Sequence, residues 1–372
     1  MKERNIEIDI IKGVGIILVV LGHAKFKYSN FFYLFHMPIF FIVAGYCYNK
    51  KYSEKLKGIV TLTKKRIKSL YAPYVLYNFA FIIFNNLLIK IHFLTTNTDM
   101  LNNNEVRITY IQKNYNVIDM AKEMLKILLF SGNTAFSGPF WFFKALFFAT
   151  IIFAFSQWII NRLTHKKLWQ VAILFLLSAV GYAMQIFHFR TWDIGTACSV
   201  YGFFLMGYIL KEKEWLGKER NLIKIIAGAI VLIVLLYGGA AVELSKNYYN
   251  NTFVLWIAAL AGYIMVYGIA CYINKIKILG NIFSYIGRHT ISIMCLHLLA
   301  FKLVNILQVY IYHEPCDYIA SYPILHSGNG WSAVYTCVGV AVPLLLSVMT
   351  EQIKKAVKAK KDMIMKRAIC KN

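Results

Sequence analysis

Lys12 and His23 stand eleven residues apart in an otherwise apolar run, Ile8-Asp9-Ile10-Ile11-Lys12-Gly13-Val14-Gly15 through Leu21-Gly22-His23. On a helix that spacing is three turns plus roughly 20°, so both project from one face, about 16 Å apart along the axis. Val19 lies between them, with Gly15 and Gly22 beside it. The face therefore offers a cation at one end, a strip of little side-chain bulk, and an imidazole at the other. A cation can hold phosphate, and an imidazole titrates near neutral pH and can take a proton from a hydroxyl. The plainer alternative is an Asp9–Lys12 pair at i,i+3, a histidine closing the helix, and glycines used for packing.

A second imidazole follows after a short loop, in Phe35-His36-Met37-Pro38-Ile39-Phe40-Phe41. His36 is expected at the level of His23, where the two would suit proton transfer; by itself it could equally be an interface residue bonded to a loop carbonyl. The stretch Lys64-Lys65-Arg66-Ile67-Lys68-Ser69-Leu70 precedes Tyr71-Ala72-Pro73-Tyr74. Lys65 and Lys68 there, with Arg288 further on, could join Lys12 in a phosphate clamp, although basic residues at such positions also satisfy the rule that sets membrane orientation. His297 lies inside a later apolar run, as a structural group or a functional one. Trp141, in Gly138-Pro139-Phe140-Trp141-Phe142-Phe143-Lys144, reads most simply as an interfacial aromatic. Lys90, Lys144 and Lys302 are expected to snorkel toward the nearest interface.

The elements that must carry these residues are membrane helices. Of 372 residues, 59% are hydrophobic and 16% charged, against roughly 25% charged in soluble domains. The apolar residues gather into runs of about 17 to 24, the length that crosses a hydrocarbon core, and in lipid such runs must be helices. Ten are expected, near 8–24, 31–48, 71–93, 140–160, 168–187, 194–210, 222–241, 252–273, 289–311 and 332–350. The fold class is thus all-α and polytopic. With the N-terminus inside, the cytoplasmic segments hold 29 of the 41 lysines and arginines, which places both termini in the cytoplasm of a cell membrane.

Residues 1–350 read as one membrane domain and 351–372 as a basic cytoplasmic tail, Lys354 to Lys371, facing water and lipid headgroups. The net charge of +24 is explained by this distribution, with no need of nucleic acid. The first run is not expected to be a cleaved signal peptide, because Asp9 and Lys12 interrupt it. The seven cysteines are scattered without a CxxC pair and suggest neither a metal site nor a disulfide framework. The long segment 94–139 is Asn/Thr-rich around Thr95 to Asn104, then amphipathic from Met120 to Phe130, a pattern suited to lying along the interface.

In order along nearly the whole chain, these segments resemble the membrane acyltransferase-3 superfamily, in its branch of polysaccharide O-acyltransferases and fucose acetylases. The resemblance rests on five motifs: Lys12 and His23, within Asp9-x-x-Lys12-Gly13 and Val19-Val20-Leu21-Gly22-His23; Phe35 to Pro38 followed by Gly45-Tyr46; Lys65 and Lys68 before Pro73-Tyr74; Trp141-Phe142-Phe143; and Gly287-Arg288, Thr290 and His297. Lysines stand at Lys12, Lys65 and Lys68 where many members carry arginine, which keeps the charge and loses the bidentate fork. Phe143 replaces a leucine, and no acidic residue of the last spans matches a family carboxylate.

The resemblance implies an acyl-CoA donor, usually acetyl-CoA, on the cytoplasmic side, and a hydroxyl of a surface polysaccharide or lipid-linked glycan as acceptor on the outer side. No permanently bound cofactor is expected. CoA phosphates would rest on Lys12, Lys65, Lys68 and Arg288, with pantetheine along the Gly15/Val19/Gly22 strip. His23 would act as general base with His36 orienting it or relaying the proton, or would carry the acyl group transiently. Trp141 and His297 are the expected acceptor-side residues. The rival class is a secondary transporter or glycan exporter, which gathers its charges near the midplane.

Overall fold

The computed structural model describes residues 5–102, 111–213, 216–217 and 219–369. The N-terminal part comprises α1 (Ile6–His23), α2 (Ser29–Tyr33) and α3 (His36–Tyr46). Next come α4 (Leu56–Arg66), α5 (Ala72–Ile83), α6 (Asn85–Lys90) and α7 (Val117–Leu128). The middle holds α8 (Trp141–Ile160), α9 (Lys166–Ile186), α10 (Ile194–Ser199), α11 (Tyr201–Lys213) and α12 (Asn221–Tyr237). The last helices are α13 (Thr252–Lys275), α14 (Lys277–Arg288), α15 (Thr290–Tyr312) and α16 (Trp331–Ile369). Between α12 and α13 the strands β1 (Val242–Glu243) and β2 (Tyr248–Tyr249) form a small antiparallel hairpin, Val242 opposite Tyr249.

Among the described residues, six stretches are long and apolar enough to cross a bilayer: Ser29–Tyr46, Gly138–Ile160, Lys166–Ile186, Thr252–Lys275, Thr290–Tyr312 and Trp331–Val357. The pair α10 and α11, bent by 46°, makes a seventh if taken as one span. The other expected spans are helical but shorter or more charged: α1 carries Glu7, Asp9 and Lys12, α5 has 12 residues and α12 has 17. Length and composition therefore support six or seven spans where the sequence suggested ten.

Charge is tolerable in α1 because protein, not lipid, surrounds it. The helix packs against α3, α13, α14, α15 and α16, with Ile10, Ile11, Ile16 and Val20 fully buried. Asn5 caps it by accepting from the Ile8 N–H at 3.0 Å, and Glu7 and Asp9 sit at the positive end of its dipole. Glycines let it approach α14 closely. A Cβ on Gly13 would strike the Phe283 carbonyl, and one on Gly287 the Asp9 carbonyl. A similar contact joins α3 to α11, where Gly45 faces the Phe204 carbonyl and Gly207 the Ile42 carbonyl.

The cationic stretch before Pro73 is not a loop ahead of a helix but part of one. From α4 the chain passes through a π-helical turn, Ile67–Tyr71, straight into α5. Pro73 has no N–H to give the carbonyl one turn back, and a widened turn next to such a residue is a usual accommodation. The amphipathic stretch is α7, closed by a reciprocal Asn116–Asp119 capping box. The Lys113 ammonium, 2.8 Å from Asp119, and the Asn116 N–H hold that carboxyl below its ordinary range. The chain then turns inward, burying Phe130, Phe136 and Phe140.

Two lysines expected to snorkel do not. Lys302 is buried, and its Nζ donates to the carbonyls of Ile319 at 3.1 Å and Ser321 at 2.6 Å. Lys144 is buried in an ion pair with Asp193 at 2.9 Å. Lys90 is exposed. The expected tail continues α16 without a break to Ile369, and Lys371 lies outside the described residues.

Candidate active site

His23 ends α1, His36 begins α3 and His297 lies in the second turn of α15. The His23 Nδ1 is 2.8 Å from the His297 Nε2, the rings stacked with centroids 5.0 Å apart and planes within 16°. The other His297 nitrogen, Nδ1, is 2.9 Å from the Ile293 carbonyl. A carbonyl only accepts, so Nδ1 of neutral His297 carries the proton and Nε2 is a bare acceptor. His23 must then donate through Nδ1, which leaves its Nε2 with a free lone pair. Backbone geometry one helical turn below His297 thus selects the tautomer of a residue on another helix.

His36 is oriented separately, by a 2.7 Å bond from its Nδ1 to the Phe32 carbonyl and an edge-on contact with Tyr33. The imidazole that meets His23 directly is therefore that of His297. Both His23 and His36 still line one small cavity, of about 50 Å3, with Val19, Tyr33, Trp141 and Met294. Trp141, taken first as an interfacial aromatic, stands at this cavity because α8 begins here, after the 3-10 turn Gly138–Phe140.

The β-hairpin covers the cavity with Glu243, Leu244 and Ser245. It is firmly fastened. Asn247 donates to the Gly181 carbonyl and accepts from Ser199, both at 2.9 Å, Gln185 donates to the Tyr249 carbonyl at 3.1 Å, and Thr196 to that of Leu244 at 3.2 Å. Sequence reasoning missed Glu243 and Ser245, although the run Val242 to Asn251, β-formers broken by Ser, Lys and Asn, carries a hairpin signal. The low-bulk strip on α1 is largely filled: Gly15 faces the Phe40 ring and Gly22 the Tyr33 ring.

At the other end of α1, Lys12 pairs with Asp9 at 2.6 Å and keeps 23% of its side chain exposed. Cys47, just past α3, is within electrostatic reach of Lys12, Lys211 and Arg66. Arg66 is half-buried, and its buried Nε has no hydrogen-bond partner. By contrast Lys65 is exposed and bonds the Tyr52 hydroxyl at 2.7 Å, and Lys68 is exposed. Arg66 and Lys211 thus share the surroundings of Cys47 with Lys12, whereas Lys65 and Lys68 lie on the exposed side of the same basic stretch. Arg288 is exposed over the Tyr285 ring, next to the Gly287 contact with α1.

A basic cluster near one end of α1 and a histidine lining a cavity at the other are suited to transferring a group from a phosphate-bearing donor to a hydroxyl. No curated protein and no solved structure matches the chain. An acyltransferase domain profile, that of acyltransferase 3, matches residues 5–348. Nearly the whole chain is covered, including Lys12, His23, His36, Trp141 and His297, and this protein belongs to the membrane acyltransferase-3 family.

Proposed function

We propose that this membrane acyltransferase is an O-acetyltransferase working across the bilayer, with acetyl-CoA as cytoplasmic donor and a hydroxyl of a cell-surface glycan as acceptor outside. In this reading the ten helical segments span the membrane, both termini are cytoplasmic, the Lys12 end faces inward and the His23 end outward. The observation that carries it is the fixed tautomer of His23, whose bare Nε2 stands on the face it shares with Lys12, about 16 Å farther along the helix.

Lys12, Arg66 and Lys211 hold the CoA phosphates, with Lys65, Lys68 and Arg288 as an outer basic rim. The pantetheine arm reaches from this cluster toward His23. The acceptor hydroxyl oxygen attacks the thioester carbonyl as its proton passes to His23 Nε2. The C–S bond then breaks, and the proton leaves with the CoA thiolate as the free thiol. His297 bonds more strongly to the imidazolium that forms than to neutral His23, as a group acting in the transition state must. His36 and Trp141 orient the acceptor.

Sealed inside-out membrane vesicles test the reading. Radiolabelled acetyl-CoA is given outside the vesicles, at their cytoplasmic face, and a glycan acceptor is enclosed. The proposal expects ester label on the enclosed glycan. Label that stays on CoA, or on a glycan supplied beside it, contradicts it.

A further inference from the structure

Two larger clefts flank the histidine cavity. One, of about 590 Å3, is shared by His23, Tyr33 and Glu243; the other, also about 590 Å3, opens among Asn133, Lys144, Arg190 and Trp192. Ser245 lines both clefts and the cavity between them, and Trp141 joins the second cleft to that cavity. His23 lines the first cleft and the cavity, and Ser245 and Trp141 stand between that cavity and the second cleft.

The two ends differ in charge. Glu243 in the first is balanced on its own hairpin by Lys246 at 2.9 Å. In the second, Asp193 is matched by Lys144, which leaves exposed Arg190 in excess. Its guanidinium lies within electrostatic reach of Asp193 and donates to no side chain among the described residues.

This second end is a built site. Trp192 and Asp193 both hold left-handed backbone, φ 57° and 54°, which for non-glycine residues costs on the order of 1–3 kcal/mol each and persists only where surroundings impose it. Here Trp192 stacks on Phe148 within 13° and donates from its indole to the Leu129 carbonyl at 2.9 Å, and Asp193 is clamped by Lys144. The strained pair fixes the segment that carries Arg190 at the edge of the cleft.

We infer that this cleft is an acceptor subsite for an anionic group, carried on the sugar unit next to the one acylated, with Arg190 as its counter-charge and Trp141 and Trp192 as walls. The inference rests on the glycan-acceptor reading and narrows it: the acceptor is a saccharide of at least two units bearing a carboxylate or a phosphate. Arg190 suits either anion through its planar fork.

The test is a tryptophan-fluorescence titration of the purified full-length protein with glucose, glucuronate and glucose 1-phosphate, repeated on Arg190→Gln. At least one anionic sugar is expected to bind about tenfold more tightly than glucose, the scale of one charge-assisted hydrogen bond. The preferred sugar identifies the source of the anion. Arg190→Gln is expected to abolish the preference while binding acetyl-CoA like the parent protein, which shows it is folded. Equal binding of all three sugars, no saturable binding of either anion, or a preference that survives Arg190→Gln overturns the inference. Because the titration needs no turnover, anion binding without acyl transfer would instead count against the proposed function alone.

Discussion

His23 and His297 lie 274 positions apart in the chain, yet their nitrogens meet at 2.8 Å and their rings stack almost parallel. The bond gives His297 a definite part. It receives the His23 Nδ1 proton while its own Nδ1–H is anchored on the Ile293 carbonyl.

Removing that anchor should disturb turnover and spare donor binding. For His297→Ala, kcat for acceptor-dependent CoA release is expected to fall by a factor of about 10² to 10⁴, the usual worth of positioned proton transfer. The acetyl-CoA Kd should change by less than about twofold, since His297 is far from the basic cluster. A kcat within about twofold of the parent would remove His297 from the mechanism.

The basic cluster makes a separate prediction about which basic residues bind the donor. Arg66→Ala and Lys12→Ala are each expected to raise the acetyl-CoA Kd about tenfold or more, the scale of a lost charge-assisted contact. Lys65→Ala, which removes an exposed amine bonded to Tyr52, should raise it less than about threefold. Isothermal titration in detergent decides the matter, and the reverse order would restore Lys65 as the phosphate ligand.

The contact between α1 and α14 should be intolerant of any side chain. A methyl on Gly287 points at the Asp9 carbonyl, so Gly287→Ala must push the two helices apart. The expected cost is about 1–3 kcal/mol, as for other overpacked sites, seen as a lowered unfolding temperature and weaker acetyl-CoA binding as Lys12 shifts. Unchanged stability would mean that the helices do not meet there.

Lys302 and Lys90 offer a matched comparison. Lys302→Met leaves the Ser321 carbonyl with only the weaker 3.2 Å bond from Asn305 and should destabilise by about 1–3 kcal/mol. Lys90→Met, at an exposed position, should stay within about 0.5 kcal/mol of the parent. Equal effects on thermal unfolding would mean that Lys302 reaches the interface after all.

What could be read beforehand followed helical periodicity. Lys12 and His23 share one helix, and a period of 3.6 places them on one face whatever surrounds it. The His297 partner was a tertiary matter: a buried imidazole must find partners, but spacing does not name them. That Arg66 is half-buried while Lys65 and Lys68 are exposed depends on how α4 packs, which the spacing of the basic residues does not show. Lys144 looked like a snorkelling residue because Asp193 lies far along the chain, in left-handed backbone that no periodic pattern marks. Length and composition support fewer spans than the ten expected for a related reason. Hydropathy finds the apolar runs, but α1 owes its place to protein neighbours, and its charges and short length are compatible with that position.

The central claim is that acyl transfer passes through His23, and the most direct test is the O-acyl ester content of the host's surface glycan, measured by NMR with the parent protein and with His23→Ala at equal levels of membrane insertion. The account predicts that the ester signals disappear while the glycan is still made and exported. Ester signals unchanged in His23→Ala would contradict it, and loss of the exported glycan itself would point to transport.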